Sequence, residues 1–299
     1  MTDTKTFSPH LLDGKRVLIT GGGTGLGRGV ARHLVNHGAE VHLWGRRDSV
    51  LAEAAEEASS SRPGSVFYHS VDVRDYESVD STMERIWQDH GPLTSVVNNA
   101  AANFIAQTKD LSPRAFQAVT STVMNGSFHT THAAGKRWIA EGLPGNVLST
   151  LTTWVWTGSA YVVPSAMAKA AVHSMTMSLA VEWAKYGIRL NALAPGPIPT
   201  DYAWEMLNPT DKSAVGATQA DQIPAGRTGT IEELANLTMF VISDACEYLT
   251  GQTIAMDGGQ MLAGPGTFAG LTSLTDDDWS QIRESSKTAT ASSKAQRTT

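Results

Sequence analysis

Several features that mark other classes of protein are scarce in this chain of 299 residues. Cys246 is its single cysteine, which excludes an intramolecular disulfide and a zinc site built on cysteines. No apolar run reaches the length of about 18 residues that a transmembrane helix needs. Residues Met1–Leu12 also lack the basic and apolar parts of a signal peptide. We therefore expect a cytoplasmic protein without a membrane partner.

Clustered positive charge is missing as well. The chain has 23 Lys and Arg against 29 Asp and Glu, a net charge of −6, and no long basic run. Because nucleic-acid binding needs clustered cations, we expect no nucleic-acid partner. His33 and His37 are one helical turn apart, but no carboxylate lies near them in sequence. We expect no metal site there or elsewhere.

Apolar residues are plentiful, at 41% of the chain, and their arrangement predicts the fold. Short apolar runs alternate with helical stripes such as Ala168, Val172 and Met175. This alternation predicts a single-domain α/β protein with a Rossmann-like, doubly wound parallel sheet flanked by helices. Ligands of such sheets bind at the carboxyl ends of the strands. The predicted strands are Arg16–Thr20, Glu40–Trp44, Ser65–His69, Ser95–Asn98, Asn146–Ser149, Ile188–Ala194 and Thr253–Met256.

Composition also predicts the organisation of the chain. We expect an N-terminal arm over 1–13, the Rossmann-type domain over 14–260 and a C-terminal extension over 261–299. Residues 195–229 are rich in Pro, Gly and polar residues and too long for an ordinary connection, which predicts a substrate loop or lid. Residues 285–299 are rich in Ser, Thr and Lys without an apolar period, which predicts a disordered tail.

The stretch Thr20–Gly27 reads Thr-Gly-Gly-Gly-Thr-Gly-Leu-Gly between a predicted strand and a predicted helix. Glycines let backbone N–H groups approach a pyrophosphate, and the helix N-terminus adds partial positive charge. The spacing of Gly21, Gly25 and Gly27 differs from the common G-x-G-x-x-G pattern, and such turns also occur without ligands. The flanking strand and helix favour a phosphate cradle.

In the order and spacing of its motifs, the chain resembles the classical short-chain dehydrogenase/reductases between Gly14 and Gly259. Within that superfamily it is most similar to the 2,4-dienoyl-CoA reductases. The resemblance implies a nicotinamide-dependent oxidoreductase of fatty acid metabolism, an acyl-CoA substrate and a homotetramer. The superfamily motifs are Thr20–Gly27, Asp72–Val73, Asn98–Ala100, Asn125, Lys169, Asn191 and Pro195–Gly196. The subgroup motifs are Asn98–Phe104, Val163–Ala166, Ala168–Ala170, Glu182–Trp183, Pro195–Ile198 and Thr230–Leu237.

Arg46 and Arg47 follow the second predicted strand, with no carboxylate before Asp48. An acidic residue at this point selects NAD, whereas Arg accommodates the 2′-phosphate of NADP. A solvated helix start is the alternative interpretation of the Arg pair. We predict NADP(H), with Arg46 as the main contact. The resemblance implies further cofactor contacts at Gly21, Thr24, Gly25, Leu26, Gly27, Arg47, Asp72, Val73, Asn99, Ala100, Lys169, Pro195, Gly196 and Ile198.

The catalytic motif departs from the usual pattern. Most superfamily members place a Tyr four residues before the Lys, so that the ammonium lowers the phenol pKa. Here Ser165 precedes Lys169. The dienoyl-CoA reductases also carry Ser at this position, and their Tyr comes instead two residues after a Thr at the end of the fifth strand. Those two positions are occupied here by Thr152 and Trp154, so the chain departs from the subgroup too.

This departure bears on the reaction. Hydride addition to a ketone makes a localised alkoxide that needs an acid, whereas addition to a conjugated thioester spreads the charge and needs hydrogen bonds. Asn103, Thr152 and Trp154 all carry donors and could form such an oxyanion site. Trp154 could equally be an apolar wall of the core or the pocket. The resemblance implies that Lys169 contacts the nicotinamide ribose. It also implies that Asn125, which lies in a helix predicted from Pro113 to Ala140, holds a bound water.

Three hypotheses follow. The first is an NADPH-dependent reductase of an α,β-unsaturated, acyl-CoA-like substrate. The second is an NADP-dependent carbonyl, alcohol or imine oxidoreductase that uses an atypical donor such as Tyr161, the remaining phenol nearby. The third is a nucleotide-binding homologue that has lost catalysis.

Overall fold

A computed structural model of the chain describes residues 7–200, 220–264, 271, 274–282 and 284. Seven strands form one sheet in the order β3-β2-β1-β4-β5-β6-β7, and every neighbouring pair is parallel. The strands are β1 (Arg16–Thr20), β2 (Glu40–Gly45), β3 (Val66–Ser70), β4 (Ser95–Asn98), β5 (Gly145–Thr150), β6 (Ile188–Pro195) and β7 (Thr253–Met256). The predicted doubly wound parallel sheet is therefore confirmed, with strand ends shifted by at most one residue.

Helices cover both faces of the sheet. They are α1 (Gly25–Asn36), α2 (Asp48–Ser59), α3 (Tyr76–His90), α4 (Pro113–Thr120), α5 (Gly126–Glu141), α6 (Trp154–Thr157), α7 (Val163–Trp183) and α8 (Ile231–Ile242). Short 3₁₀ turns lie at Thr108–Asp110, Ala184–Tyr186, Ala220–Gln222 and Asp244–Cys246. Residues up to Gly259 form one compact unit, and a second begins at Gln260 with the one-turn helix Gln260–Ala263.

Two apolar layers hold the helices to the sheet. On one face α1, α2 and α8 pack through residues such as Leu34, Leu51 and Met239, all of them buried. Leu12 is fully buried in the same layer, so the described part of the predicted N-terminal arm contributes to the core. On the other face α3 and α5 pack through Ile86 and Trp138. Burial on both faces explains why central strands such as β1 and β4 are near-continuous apolar runs in sequence.

The helix predicted from Pro113 to Ala140 is irregular in its middle. Residues Ser121–Asn125 form a π-helical segment between α4 and α5. At Gly126 a Cβ atom would lie 2.6 Å from the side chain of Val73, so this turn packs closely against the loop after β3. The predicted helix therefore runs without a break from Pro113 to Glu141, but its π segment was not predicted. Such π segments occur often at functional sites.

Two predicted segments lie partly or wholly outside the described residues. The lid region 195–229 is described except for 201–219, and the predicted tail 285–299 is not described. Of the helices that the structure does describe, none has both the length and the apolar content needed to cross a membrane.

Candidate active site

The Gly-rich turn follows β1 at the point where the strand order reverses between β1 and β4. Gly21 and Gly25 have left-handed φ angles of 66° and 53°, which only glycine adopts readily. A Cβ atom on Gly21 would lie 3.0 Å from the Cα of Ala100, and one on Gly27 would lie 2.4 Å from the carbonyl oxygen of Gly21. Side chains at Gly21 and Gly27 would therefore clash with the backbone of Ala100 and of the turn itself.

The N-terminus of α1 opens onto this turn. Thr24 is the N-cap residue, yet its hydroxyl makes no capping hydrogen bond, and no acidic side chain lies in the first turn of the helix. Leu26 and Gly27 belong to that first turn. The first backbone N–H groups of a helix lack partners within the helix and carry partial positive charge. This end of α1 thus has the chemistry of an anion-binding site.

Thr20 holds the turn in place, although the sequence analysis gave it no role. Its buried hydroxyl oxygen accepts hydrogen bonds from the backbone N–H groups of Asn99 and Ala100, each at 3.0 Å. The side-chain amide of Asn99 donates to the carbonyl oxygens of Thr20 and Gly21 at 3.1 and 3.3 Å. A buried polar residue at the last position of an apolar strand is the signal that could have identified Thr20.

A cleft of about 320 Å³ lies beside the turn and runs along the ends of β2 and β3. Arg46 and Arg47 line it, are exposed, and form no salt bridge with any acidic residue in the described part of the chain. Asp72 also lines the cleft, where hydrogen bonds from Arg74 keep its pKa below the usual value and the charge of Arg46 adds to the effect. The cleft therefore carries two guanidinium groups that form no salt bridge with the described acidic residues.

Further residues line the same cleft. Val73 was predicted there, whereas Trp44 and Thr122 were not. Trp44 is fully buried at the end of β2, and Thr122 lies in the π segment. Both come from elements that only the tertiary fold brings to the Gly-rich turn.

Lys169 and Ser165 lie on successive turns at the start of α7, which has Pro164 in its first turn. Both side chains are buried, with relative exposures of 8% and 5%. The Lys169 ammonium donates a hydrogen bond to the carbonyl oxygen of Thr150, the last residue of β5. Burial lowers the pKa of Lys169 to about 8. The structure thus holds a buried cation, still largely protonated at neutral pH, at the carboxyl end of the sheet.

Thr152 and Trp154 lie between β5 and α7. The carbonyl oxygen of Thr152 accepts a hydrogen bond from the Val155 N–H at 3.2 Å as the chain turns into α6. Trp154 begins α6 and is half-buried, and no acceptor among the described residues receives its indole N–H. Val155 packs with Val172, which fixes α6 against α7. Trp156 lies in the same short helix, and its ring and the ring of His173 meet edge to face, with centroids 5.9 Å apart.

Asn103 lies in the loop after β4. Its amide oxygen accepts a hydrogen bond from the Phe104 N–H at 2.9 Å, which leaves the amide N–H₂ group to other partners. Phe104 packs against a small cluster that includes Ala168 of α7, the neighbour of Lys169. The loop that carries Asn103 is thereby brought to the start of α7.

Tyr161 and Asn125 are the remaining predicted catalytic residues. Tyr161 has a φ angle of 65°, a left-handed conformation that no other described non-glycine residue adopts. Its side chain is 59% exposed, and its carbonyl oxygen accepts a hydrogen bond from the Ala106 N–H at 2.9 Å. Asn125 is exposed at the end of the π segment. The π segment that carries Asn125 packs against α7, because Val123 and Ala168 belong to one buried cluster.

The segment after β6 completes this edge of the sheet. Pro195 ends β6, and the Gly196 N–H donates to the carbonyl oxygen of Met256 at 3.0 Å. A Cβ atom on Gly196 would lie 2.8 Å from the Cα of Asp257, so the backbones pass closely. Ile198 packs against the first apolar layer. These contacts fix the beginning of the predicted lid at the carboxyl ends of the strands.

The chain is similar to known oxidoreductases in sequence. A family model described as enoyl-(acyl carrier protein) reductase matches residues 21–261. A probable 2,4-dienoyl-CoA reductase of Bacillus subtilis is 39% identical over 252 residues, which cover 84% of this chain and 98% of the relative. A probable 2,4-dienoyl-CoA reductase 3 of Caenorhabditis elegans is 38% identical over 274 residues, which cover 91% and 89% of the two chains.

Solved structures show the same relationship. A short chain dehydrogenase from Bacillus anthracis superposes with a TM-score of 0.75 at 38% identity, over 84% of this chain and 97% of the other. A gluconate 5-dehydrogenase from Burkholderia cenocepacia, in complex with NADP and tartrate, superposes with a TM-score of 0.79 at 29% identity, over 85% and 98%. The chain belongs to the short-chain dehydrogenase/reductase family, whose members are oxidoreductases that use a nicotinamide cofactor.

Proposed function

We propose that this protein is an NADPH-dependent reductase of α,β-unsaturated acyl thioesters of the 2,4-dienoyl-CoA type. The observation that carries the proposal is the buried pair Ser165 and Lys169, in which a hydroxyl stands where a phenol would be the acid. A serine hydroxyl is far too weak an acid to protonate a localised alkoxide at neutral pH. Hydride addition to a conjugated thioester gives a dienolate whose charge is spread, so hydrogen-bond donors can stabilise it until water protonates it at carbon. The relatives named as probable 2,4-dienoyl-CoA reductases support the same substrate class.

Residues of the Gly-rich turn and of α1 would bind the dinucleotide. A second group of residues, which includes Lys169, would bind the reacting end of the acyl thioester. The glycines let the backbone of the turn pack closely, and the uncapped start of α1 would hold the pyrophosphate. When bound, NADPH would supply the hydride. Lys169 would hold the nicotinamide ribose and add positive charge. Asn103, Thr152 and Trp154 would donate hydrogen bonds to the thioester oxygen.

Cofactor preference is the first prediction. Arg46→Ala should weaken NADPH binding by about tenfold to a hundredfold, because it removes a charge-assisted hydrogen bond to the 2′-phosphate. Binding of NADH should be unchanged, since NADH lacks that phosphate. Titration by fluorescence or calorimetry measures both dissociation constants. Arg62→Ala is the matched control, because Arg62 is exposed but lies on the cleft at the amino ends of the strands. Equal affinity of the wild type for NADPH and NADH would refute the assignment.

The substrate class is tested by oxidation of NADPH with a 2,4-dienoyl-CoA, compared with a panel of ketones, aldehydes and imines. The proposal expects turnover of the conjugated thioester and little of the carbonyl compounds. Binding of NADPH without turnover of any compound would instead support the non-catalytic alternative.

A second candidate is an NADP-dependent carbonyl, alcohol or imine oxidoreductase. The observation in its favour is Tyr161, which combines a left-handed backbone conformation with an exposed phenol. Residues with strained backbones cluster at functional sites. Under this alternative Tyr161→Phe would abolish carbonyl reduction. Under the first proposal Tyr161→Phe leaves dienoyl-CoA reduction largely intact.

A homotetramer is proposed for the assembly. Apolar side chains lie exposed on the outer faces of α5 and α7, with Phe128 at 49%, Met177 at 43% and Val181 at 82% relative exposure. Light scattering should give a mass of several times 31.9 kDa, and Val181→Lys should lower it by placing a charge in the interface. Tyr68→Lys, in the edge strand β3, should leave the mass unchanged, and so should deletion of residues 285–299. A wild-type mass near one chain would overturn the proposal.

A further inference from the structure

A cluster of histidines lies on β2, β3 and the end of α3. Glu40 and His42 are two residues apart on β2 and so share one face of the sheet. The Nε2 atom of His42 lies 3.1 Å from a carboxylate oxygen of Glu40. His90, the last residue of α3, meets the fully buried ring of His42 edge-on, with ring centroids 4.8 Å apart. One donor atom from each of the three residues lies within 4.8 Å of the other two.

The donor types suit a borderline divalent cation. Two imidazole nitrogens and one carboxylate oxygen form a ligand set that proteins use for Zn²⁺. With bonds of about 2.05 Å, ligands of a tetrahedral zinc ion are about 3.4 Å apart. The Glu40 to His42 distance of 3.1 Å is already close to this value. The remaining shift falls on His90, a half-buried residue at a helix end whose ring also contacts the ring of Phe67, with centroids 4.1 Å apart.

Neighbouring side chains orient two of the three donors. The Nδ1 atom of His42 lies 3.2 Å from the Nε2 atom of His69, and a partner of this kind on the second nitrogen fixes the ring of a metal-binding histidine. Arg16 donates hydrogen bonds to both carboxylate oxygens of Glu40. The guanidinium charge also opposes a nearby cation, so the site should bind less tightly than a zinc site without a neighbouring cation.

An access route leads to the cluster. Glu40 and Arg16 line an open cleft of about 260 Å³ at the amino ends of the strands, together with Gly38 and Gly64. The cofactor cleft opens at the carboxyl ends of the same strands. A cation could therefore reach Glu40 without passing through the catalytic site.

We propose that Glu40, His42 and His90 bind one Zn²⁺ ion, which fastens the end of α3 to the start of β2. This proposal replaces the expectation of a chain without a metal site. Sequence spacing pointed only to His33 and His37, whose Nδ1 atoms are instead engaged with the backbone carbonyl oxygens of Gly29 and His33. Glu40 and His90 are 50 positions apart, so no local spacing could reveal the cluster.

Titration of the full chain with Zn²⁺ against a chromophoric chelator tests the proposal. At about 10 µM protein, one Zn²⁺ per chain should bind, and Co²⁺ in its place should give the visible absorption of a tetrahedral site. His90→Gln should weaken Zn²⁺ binding by at least about tenfold. Added Zn²⁺ should raise the Tm of the wild type and raise that of His90→Gln much less. His90 is chosen because substitution of the fully buried His42 endangers folding.

The control is the double variant His33→Gln with His37→Gln, which removes two half-buried histidines from α1 and should leave the affinity unchanged. Absence of bound Zn²⁺ in the wild type would overturn the proposal. So would equal affinities in the wild type and His90→Gln, or an equal loss in the control. None of these readouts depends on NADPH or on turnover, so they stand apart from the proposed reductase activity.

Discussion

Lys169→Ala should lower kcat/KM for NADPH-dependent reduction by a factor of about 10² to 10⁴, because it removes a buried positive charge from the proposed reaction centre. Binding of NADPH should weaken at the same time, since the same ammonium would hold the nicotinamide ribose. Steady-state kinetics and cofactor titration measure the two effects separately. Lys185→Ala is the matched control, because Lys185 is exposed on the 3₁₀ turn after α7. Unchanged kinetics of Lys169→Ala would mean that the catalytic site lies elsewhere.

The depressed pKa of Lys169 predicts opposite effects of pH on stability and on activity. Its folded pKa of about 8 lies below the ordinary value of 10.5. Between these two values the unfolded chain binds more protons, so the free energy of unfolding of the cofactor-free protein should rise with pH. The rise is on the order of 3 kcal/mol for a pKa that is lowered from 10.5 to about 8. It should be fully present above pH 10.5 and lost as the pH falls through 8.

Denaturant unfolding of the wild type and of Lys169→Met across this range isolates the contribution, because the other titrating groups are common to both proteins. The variant should lack the rise. Activity should fall above pH 8, since the ammonium loses its proton. If the free energy of unfolding depends on pH in the same way in the two proteins, the pKa of Lys169 is not lowered by burial.

Features that depend on local sequence were predicted well. Strands such as β1 and β4 were predicted to the residue, because parallel strands buried on both faces are short apolar runs. The Gly-rich turn was predicted because Gly21 and Gly25 take φ angles that other residues avoid. Ser165 and Lys169 were placed one helical turn apart, and the structure has them on successive turns of α7.

Features that depend on contacts between distant residues were not predicted. The π segment ends where Gly126 packs closely against Val73, which is more than 50 positions away. Thr20 was overlooked because its function is to receive the backbone of Asn99 and Ala100 from another strand. Helical and strand periodicity describes only which face a residue occupies, and it cannot show which element will be packed against that face.

Trp154→Phe should slow reduction of an enoyl or dienoyl thioester by about tenfold to a thousandfold, if the indole N–H donates to the substrate oxygen. Phenylalanine keeps most of the apolar surface and removes the donor. The loss should therefore appear in kcat with little change in KM. Trp156→Phe is the matched control, because Trp156 lies in the same one-turn helix but packs against His173. A modest change in KM with an unchanged kcat in Trp154→Phe would show that Trp154 is only a wall of the pocket.

Trp154→Tyr is the sharper test, because it restores the residue that the dienoyl-CoA reductases carry at this position. A phenol can both donate a hydrogen bond and release its proton, and we expect the ammonium of Lys169, on the helix that packs against α6, to lower the phenol pKa. Trp154→Tyr should therefore retain or raise activity on a dienoyl-CoA. Two double variants separate the contributions of the two residues. Adding Trp154→Tyr to Lys169→Ala should give no increase in activity over Lys169→Ala alone. Adding Trp154→Tyr to Lys185→Ala should change the activity as it does in the wild type. If neither the wild type nor Trp154→Tyr reduces any conjugated thioester while both still bind NADPH, the dienoyl-CoA assignment is wrong and the carbonyl or non-catalytic alternative takes its place.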